Sequence, residues 1–391
     1  MTRSRTLAAL FLALPSLAVA QSVSAESAVA MDASSGKILW SRNADEELYP
    51  ASTTKIMTAL LLMERCKPDE VITAPADVEQ IREASMHLRP GERVRAKDML
   101  FALMLRSAND GCYAVACHIS GTVGRFSDLM NLRARQLGCT HTHFDNPNGL
   151  NDRLHYTTAH DLALIAREAM RHLEFRNIVR TEKAKINRGT NWKDLWMVNH
   201  NKILLHDPTC DGIKTGWTVP AGHCFVGSAY RNGWRVITVV MRSKHWQDDT
   251  EQLFNWSYSN FERLSEATAG ATTGNVKVPG GVDGSIPVEA TESAYSLVPK
   301  RQGQHPTTRL DIDATLTAPV SKRQRVGDLV IRDPDGFEQR VEVVAARDVA
   351  ASRSQILVKE GGSSKIWMAA GLVLGTIYVR GRTRKRLFRA R

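Results

Sequence analysis

The 391-residue chain contains no Cys-x-x-Cys pair, no internal repeat and no apolar run of 18 residues. The first absence argues against a zinc knuckle and the second against a solenoid, while the third means that any membrane-spanning helix is shorter than usual. Basic excess is missing from the body of the chain as well. The formal net charge is +11, but Arg3 and Arg5 carry two of those charges and residues 380–391 carry seven, while neither end holds an acid. With its basicity confined to the termini, the chain lacks the charged face of a nucleic-acid binder, and no nucleic-acid partner is expected. Hydrophobic residues at 43% and charged residues at 24% are ordinary globular usage. The length suggests two or three domains.

The ends read as addresses. Residues 1–25 have a basic start, an apolar run at 7–14, and small residues at Ala18-Val19-Ala20 and Val23-Ser24-Ala25, either of which suits a cleavage point. This is a signal peptide pattern and predicts export. Residues 366–379 are uncharged and mostly apolar, flanked by Lys365 and Arg380. As a helix they cover about 21 Å, against roughly 30 Å of hydrocarbon. Two forms of C-terminal membrane segment fit: a transmembrane helix with snorkelling flanks, or an interfacial helix held by the same arginines. A span leaves 380–391 as a basic cytoplasmic tail, in the positive-inside sense. Both forms make membrane lipid a partner.

Six cysteines, at 66, 112, 117, 139, 210 and 224, are able to oxidise in an exported protein. Cys210 and Cys224 flank a predicted hairpin and are candidate cross-strand neighbours; otherwise each cysteine reads as a small buried hydrophobe. His141 and His143 read as surface residues, with no third ligand at a suggestive spacing.

Alternation predicts strands at 28–31 and 38–41, around a Ser35-Gly36 turn. Helical periodicity covers 53–63, 96–105, 110–119, 126–137 and 159–170. Strands return at 224–230 and 234–241, around Asn232-Gly233. Leu253, Phe254, Tyr258, Phe261 and Leu264 then form the apolar stripe of a closing helix. Strands at both ends with helices between predict an α+β fold, an antiparallel sheet covered by helices. Residues 266–274 are small and polar, a linker candidate. From 275 to 349 the period changes to two, as in Leu310, Ile312, Ala314, Leu316 and in Val341, Val343, predicting a small all-β domain.

Three short motifs carry the chemistry. Ser52-Thr53-Thr54-Lys55 opens a helix, which sets hydroxyl and amine on one face near free backbone N–H groups. Burial and a second cation would lower the lysine pKa and let it take the serine proton. Alone the motif is weak, since roughly one or two arise by chance; Ser34-Ser35-Gly36-Lys37 is such a copy, in a turn. Ser107-Ala108-Asn109 lies between helices, where its hydroxyl and amide can enter one cleft. Lys214-Thr215-Gly216 follows an Asp211-Gly212 turn and starts a strand. On an edge strand, Lys214 would supply the second cation, Gly216 would admit substrate to the backbone, and Thr215 or Thr218 would donate to an anionic group.

The order Ser-x-x-Lys, Ser-x-Asn, Lys-Thr-Gly, at intervals of 55 and 107 residues, is the specific signal. With Asn146-Pro147-Asn148-Gly149-Leu150 and Asp211-Gly212-Ile213-Lys214-Thr215-Gly216-Trp217-Thr218, the chain resembles the D-alanyl-D-alanine carboxypeptidases, low-molecular-mass penicillin-binding proteins of the serine β-lactamase-like superfamily. The resemblance implies a catalytic domain at 26–265, and fits an all-β C-terminal domain at 275–349 and a membrane tether more loosely. It implies Ser52 as the nucleophile toward a peptidoglycan stem peptide and Lys55 as general base. Ser107 and Asn109 would relay protons and position the peptide. Lys214, Thr215, Gly216, Trp217 and Thr218 would bind substrate, with the N–H groups of Ser52 and Trp217 as oxyanion hole. β-Lactams would be inhibitors, and no cofactor or metal is implied. Some relatives carry arginine where this chain has His200, and imidazole is a weaker carboxylate partner. A class A β-lactamase would need a Glu-x-x-Leu-Asn segment; Pro147 stands where that glutamate belongs. A D,D-endopeptidase or transpeptidase of the same family, and a non-catalytic wall scaffold, are the alternatives.

Overall fold

The computed structural model describes residues 23–81, 83–189, 194–300, 303, 305–353 and 355. The segment 366–379, the tail 380–391 and most of the leader at 1–25 lie outside the described residues. Among the described residues no helix is long and apolar enough to cross a membrane. Contacts divide the chain into two units, after Phe261.

The first unit opens with strands β1 (Ser27–Asp32) and β2 (Ile38–Arg42). A single 3₁₀ turn (Ala51–Thr54) leads into α1 (Lys55–Arg65). Short strands β3 (Val71–Thr73) and β4 (Arg93–Arg95) pair with each other. Next come α2 (Ala96–Phe101), which runs into a π-helical turn (Ala102–Arg106), then α3 (Asn109–Ser120) and α4 (Val123–Gln136). After α5 (Ala159–Ala169) and α6 (Leu173–Val179), strands β5 (Lys183–Lys185) and β6 (Trp196–Val198) pair. The unit closes with β7 (Cys210–Thr218), β8 (Gly222–Arg231), β9 (Trp234–Ser243) and α7 (Trp246–Asn260).

Five strands form one antiparallel sheet in the order β2-β1-β9-β8-β7. The N-terminal strand thus pairs with a strand more than 200 residues later, Ala28 opposite Val240. The run Val236 to Met241 in β9 is wholly buried, which requires cover on both faces. Helices α5 and α7 both pack on it. Helix α1 is apolar nearly all round and therefore sits in the centre, against α3, α4 and α5. Ile56, Met57, Leu60 and Leu61 are fully buried, each worth about 1.5–3 kcal/mol. Thr122 and Thr158 cap α4 and α5 by accepting the N–H of Arg125 and Asp161. The sheet order leaves β7 at an edge, beside the 3₁₀ turn.

The second unit holds β10 (Phe261–Ala267) from its second residue on, then β11 (Thr272–Lys277), β12 (Ser285–Ala290), β13 (Ala294–Pro299), β14 (Thr307–Ile312), β15 (Arg325–Arg332) and β16 (Glu338–Ala345). Strands β11-β12-β16-β15-β14 form an antiparallel sheet and β10 pairs with β13. Ile286, Val288, Val326, Ile331, Val341 and Val343 belong to its own core.

Five local expectations need correction. The closing helix stops at Asn260, so Phe261 and Leu264 lie on strand β10 instead. The linker candidate 266–274 contains the end of β10 and the start of β11. Polar small residues serve there because the strands are half exposed. On edge strand β14, Leu310 and Ile312 are half-buried, and Ala314 and Leu316 lie beyond its end. Asp211-Gly212 is no turn; both residues are inside β7 at a register irregularity. Cys210 faces Ala229 and Cys224 faces Gly216, so the two thiols are not cross-strand neighbours, and all six cysteines are free.

Candidate active site

Ser52 sits in the 3₁₀ turn, one residue after Ala51, whose φ of 48° lies in the left-handed region. Such a conformation costs an alanine about 1–2 kcal/mol. Tight surroundings hold it in place. A methyl group at Gly149 (φ +90) would fall 1.8 Å from the Ala51 carbonyl oxygen, and one at Gly216 would fall 2.9 Å from the Ser52 nitrogen. The loop behind and the edge strand in front therefore close on the turn as only glycine allows.

Lys55, the first residue of α1, is completely buried. Its Nζ donates to Ser52 Oγ at 2.9 Å, Asn109 Oδ1 at 2.7 Å and the Asn148 carbonyl at 2.7 Å. A neutral amine here would still donate two hydrogens, to the amide and the carbonyl, and would turn its lone pair to the serine hydroxyl. Burial pushes the Lys55 pKa down to about 8. Lys214 on β7 is also buried, and its Nζ donates to the Thr215 carbonyl at 3.1 Å. Burial and then the charge of Lys55 push it down to about 7. The repulsion is mutual, so loss of one proton eases retention of the other.

Ser107 ends the π-helical turn in a left-handed conformation (φ 65). Its Oγ is buried, has no hydrogen-bond partner among the described residues, and belongs to a residue that lines the cleft. Asn109 stands not on a loop but at the start of α3. Its N–H donates to the Ala84 carbonyl at 2.8 Å.

A cleft of about 350 Å³ opens over these groups. Its walls include Ser52, Ala84, Ser107, Thr215, Gly216 and Trp217, together with His200, Lys202, Trp246 and Gln247. Thr218 is not among the lining residues; its Oγ1 accepts the Ala221 N–H at 3.1 Å and ties the β7–β8 hairpin. Burial, Lys214 and Arg106 all lower the His200 pKa, which favours neutral imidazole near pH 7.

Three residues support the site in roles that the sequence did not assign to them. Asn146 Oδ1 accepts the N–H groups of Asn148 and Gly149 at 3.3 and 2.8 Å, which shapes the loop that aims the Asn148 carbonyl at Lys55. His155 is buried, with its pKa pushed down to about 4. Its Nδ1 accepts the Asp145 N–H at 3.0 Å, so Nε2–H donates to Thr54 Oγ1 at 2.9 Å. Asp110 accepts from Ser85 Oγ, Met86 N and Leu88 N at 2.6, 3.0 and 2.9 Å, and so holds the loop that carries Ala84. Only the Asn-Pro-Asn-Gly turn had a legible local signal; His155 and Asp110 act through partners remote in sequence.

Comparison with known proteins is consistent along the chain. A family model described as D-alanyl-D-alanine carboxypeptidase matches residues 15–245, and one for the C-terminal domain of penicillin-binding protein 5 matches 261–351. D-alanyl-D-alanine carboxypeptidase DacF of Bacillus subtilis is 32% identical over 336 residues, 84% of this chain and 85% of that protein. DacC of Escherichia coli is 31% identical over 369 residues, 89% of this chain and 88% of the relative. Among solved structures, penicillin-binding protein 5 from Haemophilus influenzae aligns with a TM-score of 0.70 at 29% identity, covering 84% of this chain and 98% of that one. With a family model over more than half its length and relatives that match it nearly end to end, the chain belongs to the D-alanyl-D-alanine carboxypeptidase family.

Proposed function

We propose that the protein removes the terminal D-alanine from peptidoglycan stem pentapeptides through an acyl-enzyme on Ser52. The observation that carries this reading is the 2.9 Å contact between Lys55 Nζ and Ser52 Oγ, with the amine's other bonds taken by Asn109 and Asn148. Neutral Lys55 takes the hydroxyl proton as Ser52 Oγ attacks the carbonyl carbon of the penultimate D-alanine. The backbone N–H groups of Ser52 and Trp217 receive the oxyanion, each donor contributing about 10²–10³ in rate. The tetrahedral intermediate collapses and the C–N bond breaks. The proton held on Lys55 passes to the departing amine, with Ser107 as relay, and D-alanine leaves. Asn109 holds the peptide, and Lys214 with Thr215 binds the terminal carboxylate beside Gly216. Neutral His200 adds no charge there. Thr218 acts on substrate only through the hairpin it ties. Water then hydrolyses the ester, with Lys55 again as base. A β-lactam follows the same path to a long-lived acyl-Ser52.

The intact chain incubated with a stem pentapeptide, without an acceptor amine, is expected to release free D-alanine, measured with a D-amino-acid oxidase assay. No D-alanine from the pentapeptide, with cleavage of a cross-bridged peptide dimer in a parallel incubation, would overturn the carboxypeptidase reading.

The regions are read as a signal at 1–25, a peptidase at 26–265, a β domain at 275–349, an anchor at 366–379 and a tail at 380–391. Family membership supports export, with catalysis on the extracytoplasmic side of the membrane. The apolar block followed at once by seven basic residues supports membrane tethering. Deleting 366–391 is expected to move the protein from the membrane fraction to the soluble exported fraction. An unchanged membrane fraction would count against the anchor.

A further inference from the structure

Helices α1 and α3 begin at the cleft with Lys55 and Asn109. Their C-terminal ends meet a second group of side chains outside the cleft. Cys66 closes α1, its N–H donating to the Leu62 carbonyl at 3.0 Å. His118 lies in the last turn of α3. Glu70, just before β3, joins them: Oε1 lies 2.8 Å from His118 Nε2, and the Cys66 thiol bonds to the same carboxylate. One ligand atom from each of Cys66, Glu70 and His118 lies within 4.8 Å of the others. We propose that these three residues form a metal site for a thiophilic divalent ion of the zinc type, bound by Sγ, a carboxylate oxygen and an imidazole nitrogen, with water as fourth ligand.

The chemistry of the donors selects the ion. Thiolate and imidazole are ligands of zinc and its soft neighbours, whereas calcium and magnesium take oxygen. Ligand atoms around tetrahedral zinc stand about 3.3–3.7 Å apart, from the usual bond lengths, so small rotamer changes complete the shell. Glu70 is already oriented, because its Oε2 accepts the Lys67 N–H at 3.1 Å. Two helix C-termini also converge here, and their dipoles favour a cation. Binding replaces the thiol proton, which leaves to solvent; His118 donates its Nε2 lone pair and keeps a proton on Nδ1. Affinity therefore rises with pH. The other group of three candidate ligands among the described residues, Glu64, Glu168 and His172, differs because Arg133 already bridges its two carboxylates. An ion at Cys66 would staple the far ends of the two helices whose near ends set Lys55 Nζ 2.7 Å from Asn109 Oδ1. Sequence gives no hint of it, since Cys66 and Glu70 stand far along the chain from His118.

Cobalt(II) is the direct probe, added to the intact chain after chelator treatment under reducing conditions. One equivalent is expected to produce a thiolate-to-cobalt charge-transfer band in the near ultraviolet and tetrahedral visible bands. Cys66→Ser is expected to lose the charge-transfer band and Cys117→Ser to keep it. His118→Asn is expected to weaken binding by at least about tenfold. Zinc at about a hundredfold over its Kd is expected to raise the parent Tm by about 5–10 °C and leave Cys66→Ser unmoved. Penicillin labelling of each variant verifies that it is folded. Absence of the charge-transfer band in the parent, or its persistence in folded Cys66→Ser, would overturn the site.

Discussion

Lys55→Ala is expected to lose acylation by a labelled penicillin by about 10³–10⁴-fold, although the Ser52 hydroxyl is still present. Ser52→Ala is expected to lose the covalent label entirely. The pair separates nucleophile from base. A serine hydroxyl is a poor nucleophile near neutral pH, and among the described residues Lys55 is the titratable group bonded to it. A base acts when unprotonated, so the acylation rate of the parent rises with pH through about 8 and then levels. Labelling of Lys55→Ala within tenfold of the parent would remove Lys55 from that role. The variant leaves Asn109 Oδ1 and the Asn148 carbonyl unpaired, at about 1–3 kcal/mol each, so its Tm must be measured alongside.

Lys214→Met is expected to cut D-alanine release by at least about 10²-fold and yet to make the protein more stable at pH 6. Lys214 is held at about 7 in the folded protein, against about 10.4 in the unfolded chain. Between those values the unfolded state binds more protons, so the parent gains stability as pH rises through that window. Below about 7 the full penalty of the buried ammonium, several kcal/mol, is present. Methionine removes it, so the stability difference is largest at pH 6 and shrinks toward pH 10. Calorimetry at both pH values tests this; a variant less stable than the parent at pH 6 would overturn it. Substrate explains why the costly lysine is kept. In the proposed reaction, a terminal carboxylate beside Lys214 would restore its proton, and that charge would favour the neutral form of Lys55.

Local elements were largely legible because their signals are local. The apolar run after Ser52 specifies a buried helix, and the Asn232-Gly233 turn specifies the β8–β9 hairpin. Helix α6 and the small pairs β3–β4 and β5–β6 escaped, being three to seven residues long with little periodicity. The apolar stripe of the closing helix overruns its true end at Asn260, because Phe261 and Leu264 continue the helical spacing by chance while lying on β10.

The three motifs, taken in order with the family resemblance they carry, named the hydroxyl, amines and amide as candidates for one chemistry, because residue types and their succession are properties of the linear chain. Proximity was decided only by tertiary structure. The pKa values of Lys55 and Lys214 come from burial under segments far off in the chain. The base's geometry depends on a carbonyl 93 residues away, and the left-handed Ala51 is held by the closeness of Gly149 and Gly216. Dielectric and distance set those quantities, and neither is a property of a linear string of residues.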